Sequence, residues 1–210
     1  MKSKKYLNIA KHYEACLKTY GDNHKGVDWP KLKDVRTRYQ IMLGLIKEKN
    51  TPVTLLDFGC GAGHLFEYIQ NNTNILTSIA YTGVDISDKF ITLCKQKYPD
   101  NSFYCMDILE NNKHLEVFDY AILNGVFTEK RDLSFDEMWI FFKEVLITIF
   151  NKIEKGVAFN VMSKAVDWER DDLFHLPTDM LIEFLTKNLS RNFVLRNDYG
   201  LYEYTVYLYK

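Results

Sequence analysis

No two cysteines of this chain stand at a spacing that makes a metal or redox motif. The four present, Cys16, Cys60, Cys94 and Cys105, show no C-x-x-C pair and no zinc pattern. They read as reduced thiols of a cytoplasmic protein, and no metal site is expected. A long apolar run is also missing. The most apolar stretch, 138–150, is broken by Lys143-Glu144 and is too short to span a bilayer. The basic start, Met1-Lys2-Ser3-Lys4-Lys5, is not followed by the apolar core of a signal peptide. Repeats and low-complexity tracts are absent too. What remains is a chain of 210 residues, 47% hydrophobic and 26% charged. That composition excludes disordered, collagen-like and coiled-coil classes, and the length suits one domain.

The net charge of −1 hides a split. Residues 1–49 hold 12 Lys/Arg against 5 Asp/Glu, and the remainder holds 15 against 23. The excess reads as solvated helix faces, with a surface toward an anionic partner as the sharper alternative. Bulk nucleic-acid binding is disfavoured by a pI near 6.5.

Residues 5–20 and 31–48 have the periodicity of two amphipathic helices, separated by a Gly- and Asx-rich loop at 21–26. From residue 53, strand and helix alternate. Strands are predicted over 53–58, 79–84, 102–106, 118–123 and 157–162, with helices over 63–71, 87–98 and 134–153 between them. Ser134 and Glu137 have capping-box spacing, and Gly156 reads as the stop of the long helix that follows. A further helix is expected over 177–190. The tail, 193–196 and 201–209 around Asn197-Asp198-Tyr199-Gly200, reads as a hairpin. The expected fold is therefore α/β: a Rossmann-like, doubly wound, seven-stranded sheet, mostly parallel, closed by an antiparallel C-terminal hairpin. Residues 1–49 are expected to form a helical cap and 50–210 the core of one domain.

The turn Asp57-Phe58-Gly59-Cys60-Gly61-Ala62-Gly63 follows an apolar strand and opens a helix. Gly59 permits the tight turn, Gly61 lets a ligand lie against the backbone, and Gly63 lets the helix start close to the sheet. A dinucleotide fingerprint reads G-x-G-x-x-G. Here the glycines run G-x-G-x-G, with an acid two residues before the first. Asp85 ends the second strand, where an acid accepts from ribose hydroxyls. Asp107 ends the third.

These residues resemble the class I methyltransferases that use S-adenosylmethionine (SAM) and release S-adenosylhomocysteine (SAH). The first motif is matched by residues 55–63, its second and third acids by Asp85 and Asp107, and its fourth motif by residues 119–125. The resemblance implies SAM as cofactor. Asp57 then faces the ammonium, Asp85 the ribose and Asp107 the adenine amino group. Ile86 and Ile108 pack the ring, Cys60 is a small buried residue of the turn, and Asn124 holds SAM or the acceptor. Arg38 is expected at the methionine carboxylate. Around Tyr13, Tyr20-Gly21, Val27-x-Trp29, Arg38-Tyr39 and the tail 198–203, the chain is also similar to small methyltransferases of bacterial surface-glycan and related metabolite pathways.

Tyr13, Tyr20, Trp29, Phe127 and Tyr199 are candidate acceptor contacts. His175, Glu129 and His12 are candidate general bases, needed where the acceptor is an alcohol. The expected function is methyl transfer to a small-molecule acceptor: a sugar, a nucleotide-linked metabolite or a phosphorylated one, hence an anionic partner in some cases. The alternatives are an RNA methyltransferase and a non-catalytic SAM-binding protein.

Overall fold

The computed structural model describes residues 4–48, 51–72 and 78–210. The expected boundary between cap and core, at 49–50, lies outside the described residues. In chain order the elements are α1 (Leu7–Tyr20), a 3-10 turn (His24–Val27), α2 (Leu32–Leu43), β1 (Val53–Phe58), α3 (His64–Asn71), β2 (Ile79–Asp85), α4 (Asp88–Lys97), β3 (Ser102–Cys105), β4 (Phe118–Phe127), α5 (Phe135–Phe150), β5 (Ile153–Ser163), β6 (His175–Leu176), α6 (Thr178–Asn188), β7 (Phe193–Arg196) and β8 (Glu203–Tyr209).

The sheet runs β3-β2-β1-β4-β5-β8-β7. The first five strands pair in parallel, and β8 is antiparallel to both β5 and β7. This is the expected sheet, mostly parallel and closed by the antiparallel C-terminal hairpin; the order of its strands comes from the structure. An eighth strand, β6, adds two residues beside Met162 and Ser163; a pair this short leaves no periodicity to read. One apolar cluster joins α5 and α6 to the sheet, and another joins α2, α3 and α4 to it. Both faces are therefore covered, as a largely parallel sheet requires.

That double cover explains β8. Its sequence alternates as though one face met water, yet all seven residues are buried. Tyr207 and Tyr209 pack in the α2 layer. Their hydroxyls bond to the carbonyls of Ile41, in the last turn of α2, and of Leu45, just beyond it. Tyr204 faces the other cluster and bonds to Leu176 O at 3.0 Å. The amphipathic tyrosines satisfy the buried chain end while filling the core.

Boundaries differ where glycine was taken as punctuation. Gly156 does not stop α5. It lies inside β5, where a Cβ would stand 2.9 Å from the Tyr209 ring and 3.2 Å from Leu45, so it permits close layer packing. The helix has already ended at Phe150, and β5 begins at Ile153. β4 continues to Phe127, past the expected 123, with a register shift between Leu123 and Phe127. α2 ends at Leu43, and the loop before it contains the 3-10 turn.

Candidate active site

The carboxyl ends of β3, β2, β1 and β4 open into one cavity, covered by α1 and the segment after it. Open α/β sheets bind their ligands at this edge.

The turn after β1 is built by left-handed backbone. Gly59 has φ +76° and Gly61 φ +51°. A Cβ on Gly59 would stand 2.6 Å from Val126 Cγ2; one on Gly61 would meet nothing nearer than 3.4 Å. The first glycine is required for packing and φ, the second for φ and for leaving the cavity open. Val84 O accepts from Gly59 N and Cys60 N at 2.7 and 3.1 Å, tying the turn to β2. Gly63 caps α3 in the same left-handed region and packs on Cys94 and Tyr98.

Three carboxylates stand at successive strand ends. Asp57 is buried and accepts from Tyr81 OH at 2.6 Å. Burial pushes its pKa up to about 7, against the Tyr81 hydrogen bond and helped by the nearby Asp85 charge. Asp85 accepts from Gly61 N at 2.9 Å and from Ser87 N at 2.8 Å. Burial raises it too, opposed by these amides. Asp107 accepts from Leu109 N at 3.1 Å and from Tyr6 OH at 2.7 Å. On β4, Asn124 Oδ1 is the one buried side-chain polar atom without a partner among the described residues.

Of the predicted cofactor residues, the cavity wall contains Asp57, Gly59, Cys60, Gly61, Asp85, Ile86, Asp107, Ile108 and Asn124. Tyr13 and Trp29 join them. The other candidates lie outside the lining. Arg38 is not free to take a carboxylate: its guanidinium grips Glu203, Nε to Oε2 at 2.9 Å and a terminal nitrogen at 2.8 Å. Phe127 is fully buried, its ring 4.6 Å from Phe142. Tyr20 is exposed at the end of α1, and Tyr199 OH bonds Thr205 Oγ1 at 2.9 Å.

None of the three candidate bases lines the cavity. His175 is buried with both ring nitrogens engaged, Nδ1 on Ser163 O at 2.7 Å and Nε2 accepting from Arg170 N at 3.3 Å. Nε2 of His12 meets Asp28 Oδ2 at 2.7 Å, with Cys16 Sγ 3.7 Å away. Glu129 is buried against Arg131 at 3.2 Å, and burial raises its pKa.

Sequence reasoning missed Tyr6, Tyr39 and Phe141 in the lining. Tyr6 stacks on Phe141, with centroids 5.1 Å apart and planes 16° apart, while its hydroxyl reaches Asp107. An aromatic just ahead of an amphipathic helix was the available signal. Its partners lie 101 and 135 residues away in the chain, where periodicity does not reach.

The donor set fits SAM. Asp57, Asp85, Asp107 and Asn124 Oδ1 are all acceptors, matching a ligand that presents an ammonium, ribose hydroxyls and an exocyclic amine. The open Gly61 leaves space beside them.

Comparison with known proteins agrees. A family described as a methyltransferase domain matches residues 56–139. The chain is 26% identical over 165 residues to "Putative methyltransferase Rv1506c" of Mycobacterium tuberculosis, covering 76% of this chain and 94% of that one. Among solved structures, magnesium protoporphyrin IX methyltransferase from Synechocystis PCC 6803 with bound SAH superposes with a TM-score of 0.68. It is 14% identical, over 98% of this chain and 99% of that one. A plantazolicin methyltransferase in complex with a triazolic desmethylPZN analog and SAH gives 0.65 at 13% identity, over 98% and 99%.

Proposed function

Since the chain is a SAM-dependent methyltransferase with the class I fold, we propose that it methylates a small, uncharged metabolite by in-line displacement. The carrying observation is the composition of the wall: three carboxylates and, among the described lining residues, no lysine or arginine. A phosphorylated or nucleotide-linked acceptor would find no cation there to pair with. Of the acceptor classes expected from the sequence, a sugar or another neutral molecule fits best. The resemblance to surface-glycan methyltransferases points the same way.

The cofactor, when bound, supplies a methyl group on a sulfonium, already a good leaving group. The chain's own contribution is positioning. Asp57 holds the ammonium, Asp85 orients the ribose, and Ile86 and Ile108 flank the adenine near Asp107. Tyr13 and Trp29 exclude water on the covering side. His12, Glu129 and His175 stand outside the wall, and the one histidine in it among the described residues, His64, has its Nε2 on Asp22 Oδ1 at 2.8 Å. On a sugar or another neutral acceptor the reading therefore favours an amino group that arrives neutral over a plain hydroxyl, which needs a base.

The RNA alternative loses support from the N-terminal charges. Lys4 pairs with Glu110, Lys5 with Glu137 and Arg38 with Glu203, which removes part of the basic excess. The four unpaired cysteines suit a reducing compartment such as the cytoplasm. No helix among the described residues is long and apolar enough to cross a membrane.

Methyl-labelled SAM, incubated with the protein and either a small-metabolite fraction or total RNA, tests the reading. Label is expected in the metabolite fraction. Incorporation into RNA alone would overturn it.

A further inference from the structure

The cavity crosses the strand ends in the order β3, β2, β1, β4, with Asp107, Asp85, Asp57 and Asn124 in that succession. On the SAM reading above, on which this inference rests, the adenosine belongs at β3 and β2 and the amino-acid end between β1 and β4.

The β4 end is enclosed by a closed chain of contacts. Gly125 N donates to Asn160 Oδ1 at 2.7 Å. Asn160 Nδ2 donates to Glu203 Oε1 at 2.9 Å. Glu203 accepts from Arg38 at both carboxylate oxygens, 3.0 and 2.9 Å from Nε. The Arg38 guanidinium carbon lies 4.0 Å from the centroid of the Trp29 ring. Trp29 closes the circle on Gly125, where a Cβ would stand 2.7 Å from its Cζ2. Asn160 and Glu203 are buried and Arg38 nearly so.

We infer that this ring is a positioning device for the amino-acid end of the cofactor. It holds Trp29 and the Asn124–Gly125 backbone in place, beside the unpartnered Asn124 Oδ1. Arg38 thus acts on the cofactor through Trp29, without touching it. The donors left for the carboxylate are the Trp29 indole N–H and the Tyr39 hydroxyl; both residues line the cavity, and neither group has a partner among the described residues. A buried ion pair adds little net stability compared with apolar packing, while its geometry is strict. Holding one ring over one glycine is a use that strictness suits.

Two nucleosides separate this role from general support: SAH, and 5′-methylthioadenosine, which lacks the amino-acid end. Calorimetry is done on the wild type, Glu203→Gln and Trp29→Phe. Each variant is expected to bind SAH roughly tenfold or more weakly while its methylthioadenosine affinity changes less than about twofold. Trp29→Phe keeps an aromatic side chain, removes the indole donor and withdraws the benzo ring from Gly125, so it serves if Glu203→Gln does not fold. Equal losses for both nucleosides would make the ring merely structural and overturn the inference; unchanged SAH affinity would overturn it as well. A wild type that binds neither nucleoside would instead remove the cofactor reading beneath it.

Discussion

On the proposed cofactor reading, Asp57 is where burial and ligand charge oppose each other. Burial holds its carboxyl near 7 in the free protein, whereas a bound ammonium favours the carboxylate. Below about pH 7 the free site keeps its proton, so cofactor binding must release one. Affinity should rise with pH up to about 7 and then level off. Calorimetry at pH 6 in two buffers of different ionisation enthalpy is expected to show proton release, and at pH 8.5 little. The same shift bears on stability with a definite sign. The folded pKa lies above the unfolded value near 3.8, so the ionised carboxylate costs stability as pH rises through that window. Asp57→Asn should therefore melt higher than the ligand-free wild type at pH 8 and bind SAH far more weakly. Gly59→Ala makes a different demand: a left-handed alanine, about 1–3 kcal/mol of strain, with its Cβ 2.6 Å from Val126 Cγ2. A lower melting temperature and weak SAH binding are expected together. These residues were legible in the sequence because turn chemistry is local. Arg38 was not, because a cation on a helix face does not reveal which anion will meet it.

At the scale of elements, helix starts were read well, the ends of α2 and α5 and the helix functions less so. The capping box at α5 forms as its spacing implied, with Glu137 N donating to Ser134 Oγ at 3.2 Å and Ser134 N donating to Glu137 Oε2 at 2.8 Å. Ser134→Ala should cost about 1 kcal/mol, seen as a drop of roughly 2–4 °C in melting temperature. The capping glutamate has a second task, since Lys5 Nζ meets its other oxygen at 2.6 Å. Lys5, Tyr6 on Asp107, Asn8 on Asp132 and Glu14 on Ser87 fasten α1 over the cavity. Tyr6→Phe removes the fastening that lies inside the site. Hydrogen exchange over 7–20 is expected to quicken in that variant, with β1 and β4 unchanged. Equal protection in both proteins would show that the hydroxyl contributes nothing to the cover.

Across the whole molecule, the Arg38–Glu203 pair joins positions 165 residues apart and buries both charges. Removing one partner leaves the other uncompensated, at about 3–5 kcal/mol. Glu203→Gln should lower the denaturant midpoint accordingly. Arg38→Met combined with Glu203→Leu is expected to recover most of that stability without recovering SAH affinity.

Taken by itself, the sequence determined the succession of strands and helices, the Gly turn, the acids at three strand ends, the capping box and the C-terminal hairpin. Each is written in residues a few positions apart, where φ preference, periodicity and hydrogen-bond reach act directly. Tertiary structure alone decided that Tyr6 would meet Asp107, that both faces of β8 would be buried, that Gly156 would admit a ring into the layer below, and that His175 would spend its nitrogens on Ser163 and Arg170. Packing chooses these partners: a buried polar group must take whatever complement the topology brings within about 3 Å, and sequence distance carries no record of that choice.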